Sequence, residues 1–306
     1  MPNAVEAGGR LTRAGRDALT GAMLIAPTMA FFLLLVAYPL FQAFWISLHE
    51  MSTLTLTGPF VGLANYSRLL ASEQFWGALY TSAVWTVSSV LLQTALGIAI
   101  ALALHGPLFG RTFARGLVLF PYLLTTAVAV LIWRWLLNDL YGIINYVILE
   151  YEIVDRPIAW LGRMPNAMIT VVLIGTWKLF PFVVIAVLAR LQTIPLHLYE
   201  AARIDGANAL ERFWDITLPQ LRGVLALVLV LRTIWDFKEF DLIYLMTGGG
   251  PRRGTETLPL LVYQQSFPEL QAGRGAAVAV LMLLIMLVFF AVYFRMQAAD
   301  EERDRR

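Results

Sequence analysis

Apolar residues in this chain gather in long runs rather than in one-sided stripes. A helix that buries a single face alternates apolar residues, three and four apart, with polar ones. The runs at residues 21–48, 77–104, 117–137, 168–191, 224–246 and 275–294 are instead apolar on nearly every side. Each reaches the roughly 20 residues that carry a helix, at about 1.5 Å per residue, across about 30 Å of hydrocarbon. The pattern predicts an all-α membrane protein with six spans. Four read as plain spans. Residues 168–191 contain Lys178 and Pro181, and residues 224–246 carry Arg232, Asp236, Lys238, Glu239 and Asp241.

Arg10, Arg13 and Arg16 ahead of the first run invite comparison with a secretory leader. Residues 18–49 hold no Asp, Glu, Lys or Arg, which exceeds the 7–15 apolar residues of a leader core. The first run therefore reads as an uncleaved span. Basic residues set orientation, because short cytoplasmic segments carry the excess of Lys and Arg. One side collects Arg10, Arg13, Arg16, Arg111, Arg115, Arg190, Arg203, Arg212, Arg222, Arg295, Arg303, Arg305 and Arg306, and the other Arg68, Arg156, Arg163, Arg252 and Arg253. Both termini are expected in the cytoplasm. The expected layout is a cytoplasmic tail at 1–20, one membrane domain at 21–296 and a second tail at 297–306. Residues 49–76 and 138–166 are rich in aromatics and read as ordered outer segments, and TGGGPRRGTET from Thr247 reads as a tight turn.

The loop at 193–222, on the cytoplasmic side, breaks the pattern. Within residues 199–219 fall Glu200, Arg203, Asp205, Glu211, Arg212 and Asp215. Pro195 suits a helix start and Gly206 a left-handed helix end. Asn208 with Glu211 three residues on suits a capping box that starts a second helix, and Pro219 is expected to stop or bend that helix before the next span. Ile194, Leu198, Ala201 and Ala202 recur at helical spacing, so the expected shape is two short helices joined at a glycine elbow with a small apolar face. An amphipathic loop resting on lipid is the simpler alternative. The net negative charge opposes it, since anionic headgroups repel such a segment.

Composition agrees with the spans and narrows the chemistry. The chain is 59% hydrophobic and 14% charged, against about 45–50% and about 25% in soluble domains. A net charge of +2 with no basic cluster gives no reason to expect nucleic acid. Zero cysteines exclude disulfides and thiolate metal sites. His49, His105 and His197 stand apart, so no metal cluster is expected. Lys178 and Lys238 are the sole lysines and neither follows glycine, so no phosphate-binding GK[ST] loop exists.

YEAARIDGA followed by F-x-x-I-T-L-P, residues 199–219, resembles the EAA loop of binding-protein-dependent ABC importer permeases of the sugar type. FVGLANYSRLL, PIAWLG with GTWKLFPF, and FDLIYLMTGGGP with TETLPLLVY resemble other segments of that family in the same order. The resemblance implies a six-span type I importer domain and no enzyme activity in the chain. It implies a second homologous permease, two copies of a cytoplasmic ATPase that holds ATP and Mg, an external solute-binding protein and a bacterial cytoplasmic membrane. Glu200, Ala201, Ala202, Asp205, Gly206, Ile216, Leu218 and Pro219 are the implied coupling residues. No cofactor is implied in this chain. For a sugar pathway, Trp177, Lys178, Trp235, Asp236, Glu239 and Gln93 are the candidates, because sugar rings offer hydroxyls to polar groups and C–H faces to aromatics. Gln93 equally suits a bond to a neighbouring helix. Mutual neutralisation is expected for Arg232, Lys238 and Asp241, with Arg232 four residues from Asp236. An ion-coupled secondary carrier using these charges is the competing reading, and a signalling or scaffold protein a third.

Overall fold

In the absence of water, a spanning chain must satisfy its own backbone polar groups, so the spans are helices and any break must be enclosed or wet. The structure, a computed structural model, describes residues 13–106 and 109–304. Arg10, Arg305 and Arg306, with the rest of residues 1–12 and 305–306, lie outside the described residues. In chain order the helices are α1 (Arg13–Phe32), α2 (Tyr38–Ser47), α3 (Ala64–Leu70), α4 (Glu73–His105), α5 (Arg111–Leu123), α6 (Thr126–Leu136) and α7 (Ile143–Glu150). They continue with α8 (Asn166–Leu191), α9 (Leu196–Ile204), α10 (Ala209–Arg212), α11 (Leu218–Phe237), α12 (Asp241–Thr247), α13 (Leu258–Ser266) and α14 (Ala272–Asp304). No strand occurs among the described residues, and five helical stretches are long and apolar enough to span, with the α5–α6 pair as a sixth.

α8 is the most enclosed span and the first span the least. Lipid tails are as apolar as leucine, so spans associate through close packing and small residues rather than through a hydrophobic drive. Gly175 of α8 lies against the Trp85 ring of α4, and Gly97 of α4 against Val183 of α8; a Cβ on either would overlap its neighbour. Around this pair, Trp85, Val171, Ile174, Ile243 and Leu260 form one apolar cluster. Ala101, Val187, Leu191, Leu221 and Val228 form another toward the 193–217 connection.

Two prolines in the spans follow a local widening of the helix. Pro39 and Pro219 each come after a π-helical stretch, Leu33–Ala37 and Phe213–Thr217. Proline lacks a donor and crowds the carbonyl four residues back, and a wider turn relieves both. Pro219 therefore does not end a second short helix. Helix runs from Ala209 through Phe237 as the fifth span, which corrects both the separate helix after Gly206 and the 224–246 boundary. That span then breaks at residues 238–240 before α12.

The third span is corrected too. The apolar run at 117–137 predicts one helix, but α5 and α6 meet at 95°. Leu124 and Thr125 are extended, and the Thr125 hydroxyl accepts the amide of Val128 at 3.5 Å, starting α6 as an N-cap. Short hydroxyl side chains offer the backbone this alternative to continued helix.

The segments at the end opposite α9 are ordered by buried asparagines. Asn65 Nδ2 donates to the Ser47 and His49 carbonyls at 2.9 Å each. Asn145 Oδ1 accepts from Ile158 N and Trp160 Nε1 at 3.1 and 3.0 Å. The glycine turn after Thr247 takes left-handed φ values at Gly248 (60°) and Gly249 (92°), and leads into a buried Thr255–Glu256–Thr257 stretch. There the Leu258 amide donates to Ser82 Oγ at 2.8 Å and Gln74 Nε2 to Glu256 Oε1 at 3.0 Å.

Burial pushes the Glu256 carboxyl above its ordinary range, against the opposing pull of Gln74 and Arg253. A raised value in the closed loop means that the stabilising contribution is complete below the open-state value and is lost as pH rises through the closed-state one. Hydrogen exchange at amides 255–258 is expected to be slowest below the ordinary glutamate range of about 4.3 and to speed up as pH rises above it, after correction for intrinsic rates. Glu256→Gln should flatten that dependence, and an unchanged profile would count against it.

Candidate functional site

Two broken spans leave unpaired backbone around a common space. The Tyr122 end of α5 and the 236–241 junction of α11 and α12 face a cavity of about 350 Å³ lined by Tyr122, Leu179, Arg232, Trp235, Asp236, Lys238, Glu239, Phe240 and Asp241. Irregular backbone at membrane depth is tolerated where it lines such a space, and broken helices mark solute sites in other carriers.

The charged wall is built on α11. Arg232 and Asp236, one turn apart, are both buried and paired through the guanidinium and Asp236 Oδ1. Arg232 Nε donates across to Gln93 Oε1 of α4 at 2.6 Å. Trp85 Nε1 donates to the Asp236 carbonyl at 2.8 Å, satisfying one of the acceptors that the end of α11 frees. Beyond the break, Glu239 Oε1 accepts the Leu242 amide at 3.0 Å and so starts α12. The Trp235 ring stands edge-on to Phe182 with centroids 5.0 Å apart, 5.7 Å from the Arg232 guanidinium carbon.

Of the pathway candidates, the fold brings Trp235, Asp236 and Glu239 together on the cavity wall. Gln93 stands behind Arg232 as a helix-to-helix tie. Lys178 is buried and its Nζ donates to the Leu124 carbonyl at 2.8 Å, while its neighbour Leu179 lines the cavity. Trp177 packs edge-on against Trp133 at 5.3 Å, off the wall. Neutralisation holds for Arg232, whereas Lys238 and Asp241 are exposed and form no ion pair among the described residues. Tyr122, Phe240 and Trp85 are additions. A straight third span hides Tyr122, and the adjacent Thr125–Thr126 pair is the signal of a cap inside an apolar run.

The second site is the α9 loop. α9 ends in a Schellman motif, with Ala207 N donating to Ala202 O at 2.9 Å and Gly206 N to Arg203 O at 3.1 Å, and Gly206 takes φ +83° as its position requires. The capping box is formed by Asn208 and Glu211. Leu198, Tyr199 and Ile216 pack on the span cluster, Tyr199 Oη lies 3.0 Å from Thr217 Oγ1, and Arg190 binds Gln220 O and Oε1 at 2.9 and 2.8 Å. The loop is thereby pinned at its root. Glu200, Ala201, Asp205, Gly206 and Pro219 are exposed, Ala202 and Leu218 half-buried. Ile204 (87% exposed) and Leu210 (67%) flank the elbow; both lie outside the apolar face expected from Ile194 and Leu198.

A multi-spanning protein with two broken spans around a charged cavity and a folded loop at one end is of the membrane-transport class. Residues 93–299 match the family model described as binding-protein-dependent transport system inner membrane component. The trehalose/maltose transport system permease protein MalF of Thermococcus litoralis is 38% identical over 280 residues, covering 92% of this chain and 94% of that one. The sn-glycerol-3-phosphate transport system permease protein UgpA of Agrobacterium fabrum is 33% identical over 274 residues, covering 89% and 92%. Among solved structures, a chain of a bacterial ABC transporter involved in alginate import superposes with a TM-score of 0.79 at 22% identity, covering 93% of this chain and 96% of that one. This last likeness shows the fold. The chain belongs to the family of binding-protein-dependent transport inner membrane components, and is a multi-pass ABC importer permease.

Proposed function

We propose that the chain translocates a carbohydrate, an oligosaccharide, disaccharide or related polyol or glycerol phosphate, across the cytoplasmic membrane by alternating access. The cavity carries this reading: Trp235, Tyr122 and Phe240 offer flat faces to C–H surfaces, and Lys238, Glu239 and Asp241 offer donors and acceptors to hydroxyls. The transport of trehalose or maltose and of sn-glycerol-3-phosphate by its relatives supports the class of solute.

In this reading α9 seats on a cytoplasmic ATPase that holds ATP and Mg, two copies of which serve this chain and a homologous permease partner, while an extracytoplasmic binding protein delivers solute. A solved alginate transporter of this fold, in complex with an alginate-loaded periplasmic protein, supports such delivery. Both tails, 1–20 and 297–306, are placed in the cytoplasm, and α9 with its glycine elbow, ahead of the fifth span, is the coupling element of the 21–296 membrane domain. Because Tyr199 pins α9 to Thr217 and Arg190 ties α8 to Gln220 of α11, a push on the loop is delivered to α8 and α11 as a rigid displacement. Those two helices carry the cavity wall.

Purification of the tagged chain with its co-expressed partners is expected to recover ATPase, and proteoliposomes of the complex to accumulate sugar with ATP and without a proton gradient. Uptake that persists without ATP and collapses with the proton gradient would instead make the chain a secondary carrier.

A further inference from the structure

Breaking a helix inside a membrane strands carbonyls that the next turn would have used. At the 95° corner between α5 and α6, the Leu124 carbonyl is such a group, and its acceptor capacity is met by the Lys178 ammonium of α8 at 2.8 Å. A buried ammonium is itself costly unless bonded, so the two groups satisfy each other. Glu239, at the break of the fifth span, stands within charge–charge range of the same ammonium. Lys178 thus sits between the two breaks that shape the cavity, bonded to the Leu124 carbonyl at one and facing the charge of Glu239 at the other.

We propose that Lys178 is a positioning residue for transport: its bond to the Leu124 carbonyl holds the third span bent, and exchange of that partner for the Glu239 carboxylate releases the span to extend. This rests on the cavity being the solute path. With Leu124 captured, Tyr122 stays on the cavity wall. With Leu124 released, its carbonyl regains a helical donor and the wall withdraws. Lysine suits the role better than a neutral donor because its long stem and rotatable ammonium serve two acceptors in turn.

The chain has no cysteine, so Phe113→Cys and Trp135→Cys, at exposed positions on either side of the corner, take two spin labels in the full chain, assembled with cysteine-free partners in lipid nanodiscs. Two arms meeting at 95° place these residues about 22 Å apart, against about 33 Å for a straight helix at about 1.5 Å per residue. Electron–electron resonance is expected to give the shorter spacing in the nucleotide-free complex. Lys178→Met should lengthen it by about 5 Å or more and lower the maximal rate of uptake at least tenfold, and Lys178→Arg should restore both. An unchanged spacing in Lys178→Met overturns the clasp. A lengthened span with undiminished uptake leaves the clasp standing and overturns its role in transport; whether the unsubstituted complex takes up sugar with ATP, measured alongside, tests the proposed function separately. Should Lys178→Met fail to fold, the native side chain decides: trapping the complex with ATP and vanadate must lengthen the spacing, and an identical spacing in both states overturns the exchange.

Discussion

Replacing Arg232 with methionine is expected to remove most of the folded chain from the membrane fraction and to lower its thermal midpoint in detergent more than any other single change near the cavity. The guanidinium is fully buried and serves two helices, pairing with Asp236 on its own and bonding Gln93 on α4. Removing one member of a buried ion pair costs about 3–5 kcal/mol, because the survivor keeps the desolvation penalty without its partner. Gln93 Oε1 would lose its donor as well, for about a further 1–3 kcal/mol. The same physics predicts the rescue. Arg232→Met with Asp236→Asn removes both charges, and should recover much of the lost stability, since no uncompensated buried carboxylate is left behind. A double variant no more stable than the single one would mean that the arginine acts through packing alone. Uptake separates stability from transport: the double variant should fold and still transport poorly, because Asp236 also stands on the cavity wall.

The spans are legible in the sequence because membrane thickness imposes a length that a run of apolar residues either meets or does not. Glu73–His105 and Asn166–Leu191 accordingly fall where the pattern puts them. What the pattern misses are places where local bonding overrules hydropathy. Thr125 is no less compatible with an apolar run than a valine of similar size, so a hydropathy reading passes over it, yet its hydroxyl is what allows α6 to start afresh. Pro219 reads as a stop, yet the π turn before it lets the fifth span continue. The Arg232–Asp236 pair is expected from one-turn spacing, whereas the third member, Gln93, is more than a hundred positions away and is joined to them only by the α4–α11 contact. Lys178 stands out as a charge within an apolar run, but the acceptor that explains it exists only because the third span is broken.

Ile204→Asp is expected to detach the α9 loop from the proposed ATPase partner with little effect on the chain itself. Ile204 is 87% exposed at the end of α9, beside the left-handed Gly206, and belongs to none of the apolar clusters. Insertion, yield and thermal midpoint should therefore stay at wild-type values. Ile204 lies one turn along α9 from Glu200, and in the proposed coupling role of α9 a seated ATPase would cover it. Apolar side chains covered at the centre of an interface are where truncation costs at least about 2 kcal/mol, about a 30-fold loss of affinity, and a carboxylate in its place adds a desolvated charge. Glu200→Ala truncates an exposed polar side chain without placing a charge in the proposed interface and should cost less, weakening ATP-driven uptake without releasing the ATPase. The order of the two effects is the discriminating result. Affinity-purified complexes should lack ATPase in Ile204→Asp and retain it in Glu200→Ala, with uptake lost in the first and reduced in the second. Full ATPase recovery and normal uptake in both would show that α9 is not the coupling element, and would return the loop to the simpler role of an amphipathic segment at the membrane surface.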